Sequence, residues 1–215
     1  MANYGSGGMR FSEIPPVVKN LLIINGLVWL AQIASAKQGF YLESYGALFS
    51  IQTGLFRVWQ LITYMFMHQA IYTNGEIAFA HILFNMFALW MFGSTLENFW
   101  GSKRFLTFYV LCGIFAGVAQ LIMQKNGYAI GASGAIMGIM AAFAYLFPNT
   151  EMFLMFIPIP VKAKYVIPGY VALDLFSGFS DTAGDNVAHW AHLGGALAGL
   201  IIVIIWNKTN RKNFY

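Results

Sequence analysis

Apolar residues in this chain gather into long runs, and six of these runs set its architecture. They cover about residues 17–36, 77–98, 104–124, 132–147, 163–179 and 187–207. A helix that crosses hydrocarbon needs roughly 20 mostly apolar residues, and a succession of such windows exceeds what one soluble core would bury. The pattern predicts an all-α, polytopic membrane protein, a bundle of six transmembrane helices with both termini on the same side.

The polar positions inside those runs are few and aligned. In the second run, HILFN places His81 and Asn85 four residues apart, on one helical face. Ser133 opens the fourth run within GASGAIMG, and HWAHLGG in the sixth places His189 and His192 three residues apart. Runs two, four and six enter from the same surface. At ~1.5 Å per residue these side chains lie at most about 12 Å below their helix starts, so they can share one layer. Gly134 and Gly138, and likewise Gly195 and Gly199, are four apart, a spacing that lets two backbones approach closely. Helices four and six should therefore bring Ser133 toward His192.

Polar groups in a bilayer are costly and mark function by default. A serine hydroxyl becomes a useful nucleophile when a base within hydrogen-bond reach takes its proton, and histidine suits that role. Acyl transfer also needs donors for the oxyanion. Asn85, His81 and the backbone N–H of Ser133 are available, the last because a first-turn amide has no partner in its own helix. Alone, a serine in a glycine-rich membrane helix is usually a packing residue; the joint placement points to chemistry. Asp174 is the one acid deep in an apolar run, and nothing in its spacing ties it to His192, so a Ser-His dyad is expected. HExxH is absent and only one membrane aspartate is present, so neither a zinc protease nor an aspartyl protease fits. No metal site and no cofactor is expected.

Composition agrees: 9% of residues are charged, against about a quarter in soluble domains. The net charge of +4 flanks the helices and forms no basic stripe with interleaved aromatics, so no nucleic-acid partner is expected. Lys and Arg favour the cytoplasm. Arg10, Lys19, Lys103, Arg104, Lys162, Lys164, Lys208, Arg211 and Lys212 then fall inside, against Lys37, Arg57 and Lys125 outside. Both termini are read as cytoplasmic. Cys112 is alone, so no intramolecular disulfide can form. Ala34-Ser35-Ala36 looks like a signal-peptide cleavage site, but the glycine-rich tail and the Pro15-Pro16 pair before the run favour a retained helix.

The expected organisation is a short cytoplasmic tail (1–16), a six-helix membrane domain (17–207) and a short basic cytoplasmic tail (208–215). The connection at 37–76 is too aromatic for a solvated linker and should pack on the bundle or in the interface. No internal repeat supports a transporter.

The stretches HILFNMFALWMFG (81–93), LENFWGSKRFLTFY (96–109), GASGAIMG (131–138) and AHLGGALAG (191–199) resemble the rhomboid family of intramembrane serine proteases. The resemblance implies a rhomboid-like bundle that sits in the lipid bilayer, expected to be the inner cell membrane, and cleaves transmembrane protein substrates in or near their membrane segments. It makes Ser133 the nucleophile, His192 the general base, and His81 and Asn85 the oxyanion positions. The 37–76 connection resembles the family's membrane-associated first loop, and the fifth helix the element proposed to gate lateral entry. Three departures stand out. Met137 replaces a frequent aromatic, Trp59-Gln60 stands where some members have Trp-Arg, and His68 is separated from His81 by a polar stretch including Tyr72 to Glu76. His68 is read as structural, and Glu97 as a partner for backbone or side-chain donors. The alternative is a catalytically silent rhomboid-like protein that binds membrane helices.

Overall fold

Six helices occupy the six apolar runs in the computed structural model: α1 (Pro16–Ala36), α2 (Phe79–Trp100), α3 (Ser102–Met123), α4 (Ser133–Leu146), α5 (Ala163–Ser180) and α6 (His189–Thr209). The structure describes residues 14–72, 74–154, 157–180 and 187–209. Most of the 1–16 tail, with Arg10, lies outside the described residues, as do Asp181, Asp185, Arg211 and Lys212. Helices α1, α2, α3 and α6 are long and apolar enough to cross a membrane, and α4 is a shorter apolar helix. The protein is a polytopic, all-α membrane bundle. Helix α2 contains a π-helical turn at Leu89–Gly93, and α5 carries Pro168 in its interior.

The bundle distributes its side chains as a lipid solvent requires. Leu27, Leu30, Phe84, Phe87, Ile122, Leu173 and Phe176 are exposed, while Asn25, Gln32, Glu97 and Gln120 are buried. Lipid tails are as apolar as leucine, so close packing and interhelical hydrogen bonds must hold the helices together. Packing is tightest around α6. A Cβ at Gly195 would overlap the carbonyl of Gly134, and one at Gly199 the backbone of Gly138. On its other side, a Cβ at Gly194 would lie 3.2 Å from the Phe115 carbonyl oxygen of α3. The glycine spacing seen in the sequence thus becomes direct backbone contact.

The connection after α1 folds onto the bundle, as its aromatic content suggested. Among the described residues, two short antiparallel ribbons interrupt the all-α pattern. β1 (Leu48–Phe49) pairs with β2 (Tyr128–Ala129), and β3 (Glu151–Leu154) with β4 (Ile157–Lys162). Buried Tyr64 donates its hydroxyl to the Gly113 carbonyl at 2.7 Å. Gln60, the departure from Trp-Arg, is buried and holds the loop. Its Oε1 accepts from the N–H groups of Phe49 (3.3 Å) and Arg57 (3.1 Å), and its Nε2 donates to the Leu55 carbonyl (3.2 Å).

Glu97 secures the opposite end of the bundle. It sits near the end of α2, and its carboxylate accepts from the N–H groups of Val17 (2.9 Å) and Val18 (2.8 Å) and from the Ser102 hydroxyl (2.7 Å). Val17 and Val18 lie in the first turn of α1, where amides lack helical partners and a negative charge is favoured. Hydrogen bonds to a charged group contribute roughly 1.5–3 kcal/mol. Glu97→Ala is therefore expected to cost at least about 2 kcal/mol, seen as a lowered unfolding midpoint in detergent; an unchanged midpoint would contradict this anchoring role.

Candidate active site

Helix α4 begins at Ser133 because the chain before it turns through a conformation that suits glycine. Gly131 has φ of 124°, and its N–H donates to the Tyr64 carbonyl at 2.9 Å. The first loop therefore holds the residue that aims the α4 N-terminus. Ser133 occupies the first helical position, leaving its amide without an intrahelical acceptor.

A buried glutamine positions the start of α6. The Ala191 N–H donates to Gln120 Oε1 at 2.9 Å, and Gln120 Nε2 donates to Gln124 Oε1 at 2.7 Å. With this end held and the glycine seam closing α4 on α6, Ser133 Oγ and His192 Nε2 stand 2.6 Å apart. His192 is buried and Ser133 partly buried.

Asp174 reaches the same histidine, contrary to the expectation that it stands apart. His192 Nδ1 lies 3.1 Å from both carboxylate oxygens of Asp174, and His189 Nδ1 lies 2.9 Å from Oδ1. Helix α5 can approach this closely because Gly178, one turn after Asp174, faces His189; a Cβ there would come within 2.8 Å of the His189 Cβ. The rotation of α5 against α6 is a tertiary property that residue spacing does not encode. The available signal was chemical: a lone acid in an apolar helix must find a partner. A carboxylate only accepts hydrogen bonds. With Asp174 ionised, Nδ1 of His192 carries the proton and Nε2 is left to accept from Ser133.

His81 has the complementary tautomer. Its Nδ1 accepts from the Gln69 N–H at 3.2 Å, so in the neutral ring Nε2 is the donor. A Cβ at Gly131 would lie 3.0 Å from His81 Nε2 and 3.7 Å from Ser133 Oγ. Glycine at 131 thus keeps open a space bounded by a donor and the serine oxygen. Asn85 is buried one turn along α2, and its Nδ2 donates to the His81 carbonyl at 2.8 Å. Among the described residues this bond stays within α2, and Asn85 is not hydrogen-bonded to Ser133 or His192.

His68 packs its ring 5.1 Å from that of His81. Its N–H donates to Gln32 Oε1 at 3.0 Å and its carbonyl accepts from Gln32 Nε2 at 2.8 Å, which ties the loop to α1. Burial, with His81 adding to it, pushes the His68 imidazole down to about 3, so it stays neutral under physiological conditions. Met137 is buried, and Cys112 packs beside Gly138.

These features define a polytopic membrane protein with a serine, a histidine and a carboxylate in hydrogen-bond contact among its helices. The rhomboid domain model matches residues 55–208, well over half of the chain, and the chain belongs to the rhomboid family. It is 30% identical over 178 residues to the yeast (Saccharomyces cerevisiae) Rhomboid protein 1, mitochondrial, covering 72% of this chain and 51% of that one. It is 34% identical over 142 residues to the Bacillus subtilis Rhomboid protease GluP, covering 66% of this chain and 24% of that one. The human Presenilin-associated rhomboid-like protein, mitochondrial, is 30% identical over 151 residues, covering 66% and 38% respectively. The chain spans from about a quarter to half the length of these relatives.

The seam between α4 and α6 can be tested apart from any activity. Overpacking a filled contact costs typically about 1–3 kcal/mol, so Gly195→Ala should lower the unfolding midpoint in detergent. Gly169→Ala, with nothing within 4 Å of its added Cβ, should not. Equal midpoints for the two variants would contradict the backbone contact.

Proposed function

We propose that this chain is an intramembrane serine protease that hydrolyses peptide bonds in or near the transmembrane segments of other membrane proteins. The observation that carries the proposal is the 2.6 Å contact between Ser133 Oγ and His192 Nε2, with the far nitrogen of the same ring on Asp174. Membership in a family that includes a relative named as a protease supports it.

In this reading a substrate helix enters laterally, unwinds locally and offers a carbonyl to Ser133. His192 takes the hydroxyl proton as the Oγ–C bond forms. The oxyanion develops in the space that Gly131 keeps open, where His81 Nε2–H and the free Ser133 amide can donate. Asn85 retains a second amide N–H beyond the one on the His81 carbonyl, and is the further donor. His192 then returns its proton to the leaving amine, and water releases the acyl group. Asp174 turns the expected dyad into a relay of three: it fixes the His192 tautomer and stabilises the imidazolium that forms. Asp174 touches the base and not the substrate, so it is a positioning residue.

The catalytic unit is the six-helix domain of residues 17–207, flanked by the tails at 1–16 and 208–215. The distribution of basic residues orients it with both termini cytoplasmic and the layer of Ser133 and His192 toward the outer surface. Water reaches the acyl-enzyme from that side.

A fluorophosphonate probe needs no known substrate. It should label the purified protein in detergent and fail on Ser133→Ala and His192→Ala; equal labelling of all three would end the assignment, and a folded protein that never labels would favour the silent helix-binding alternative. Asp174→Asn should lower kcat by at least about tenfold, and at most the roughly 10⁴-fold lost when a soluble triad loses its carboxylate. KM should hold, and an unchanged kcat would remove Asp174 from the mechanism.

A further inference from the structure

Asp174 carries two imidazoles, and the protease reading uses only one. His189 Nδ1, His192 Nδ1 and a carboxylate oxygen of Asp174 converge so that all three ligand atoms lie within 4.8 Å of one another. In a tetrahedral zinc site, bonds of about 2.0–2.2 Å place neighbouring ligand atoms roughly 3.3–3.5 Å apart. The two contacts to Asp174 are 2.9 and 3.1 Å, a few tenths of an ångström shorter than that, and the two imidazole nitrogens lie within 4.8 Å of each other, so a small adjustment of the side chains brings the three to an ion.

We infer that Asp174, His189 and His192 form a binding site for one Zn²⁺ ion that switches the serine off. Two imidazole nitrogens and one carboxylate oxygen suit zinc, whereas magnesium and calcium prefer oxygen alone. The side chains are 7–12% exposed, and three protein ligands leave a fourth zinc position for water. Competing donors are few. The sequence has four histidines and one cysteine; His68 and Cys112 are buried, and among the described residues no other such group of three occurs.

The inhibitory consequence rests on His192 being the base. When Zn²⁺ takes the Nδ1 lone pair of His192, the ring proton resides on Nε2. No electrons are transferred and the neutral ring keeps its single proton. Nε2 then donates to Ser133 Oγ where it had accepted, and the serine keeps its own proton. The metal and the general-base role compete for one imidazole. His189 explains the chemistry: it adds a second nitrogen without touching Ser133.

The experiment separates binding from inhibition. Ser133→Ala protein, free of any histidine tag and held in detergent, is titrated with Zn²⁺ against a chromogenic chelator. About one zinc per chain is expected, and His189→Ala and His189→Gln, each added to that background, should weaken it by more than about tenfold, the smaller loss seen even for outer-shell partners. Two substitutions guard against a fold defect, checked by the unfolding midpoint. No stoichiometric zinc, or binding indifferent to both substitutions at position 189, overturns the site. In the second arm, Ser133 protein is labelled with the fluorophosphonate in EDTA or in excess Zn²⁺. Zinc should suppress labelling reversibly, and in His189→Gln, normalised to its own rate in EDTA, suppression should need a higher concentration. Zinc that binds without slowing labelling overturns the switch. Protein that fails to label even in EDTA sinks the protease reading, and the first arm still decides the metal site.

Discussion

Contact between two bare stretches of backbone governs this structure. Gly134 and Gly138 of α4 lie directly on Gly195 and Gly199 of α6. In a bilayer no hydrophobic gain drives helices together, so dispersion at short range must do it, and that requires side chains to be absent. Ser133 and His192 sit beside this seam, the serine next to Gly134 and the histidine three residues, about one turn, before Gly195. Their hydrogen bond is therefore a by-product of the packing: two rigid rods fixed in register carry the two groups to one point. Gln120 and Tyr64 refine the arrangement, the first by holding the start of α6 and the second by holding Gly131.

Whatever the sequence repeats, spaces or strips of charge could be read from it directly. The six helices begin and end within about two residues of their apolar runs, and four of them are long enough to match hydrocarbon thickness. Ser133 and His192 were legible because glycines at matched spacing announced which helices touch. Asp174 was legible as an anomaly but not as a neighbour of His192, since the rotation of α5 about its axis depends on Gly178 fitting against His189. Gln60 was harder still. Its amide satisfies a loop whose path no periodicity describes, and a glutamine in place of arginine achieves this with backbone hydrogen bonds and no charge. The β1–β2 pairing, two residues a side, lies below the length at which alternation can be seen.

Polar groups in this bundle work in two separate places. At one end Glu97 closes the amides of α1, a purely architectural use of a buried charge. At the other, His189, Asp174, His192 and Ser133 are hydrogen-bonded in one line, with the carboxylate accepting from the imidazoles.

Asp174 is also separated from hydrocarbon only by the thickness of its own helix, since Leu173 and Phe176 beside it face outward. Were α5 to swing away from α6, the carboxylate would lose both imidazoles and meet a medium in which an unpaired ion costs several kcal/mol. The histidines thus hold the helix as firmly as the helix orients the histidines. The acid fastens α5 to α6 through two imidazoles at once.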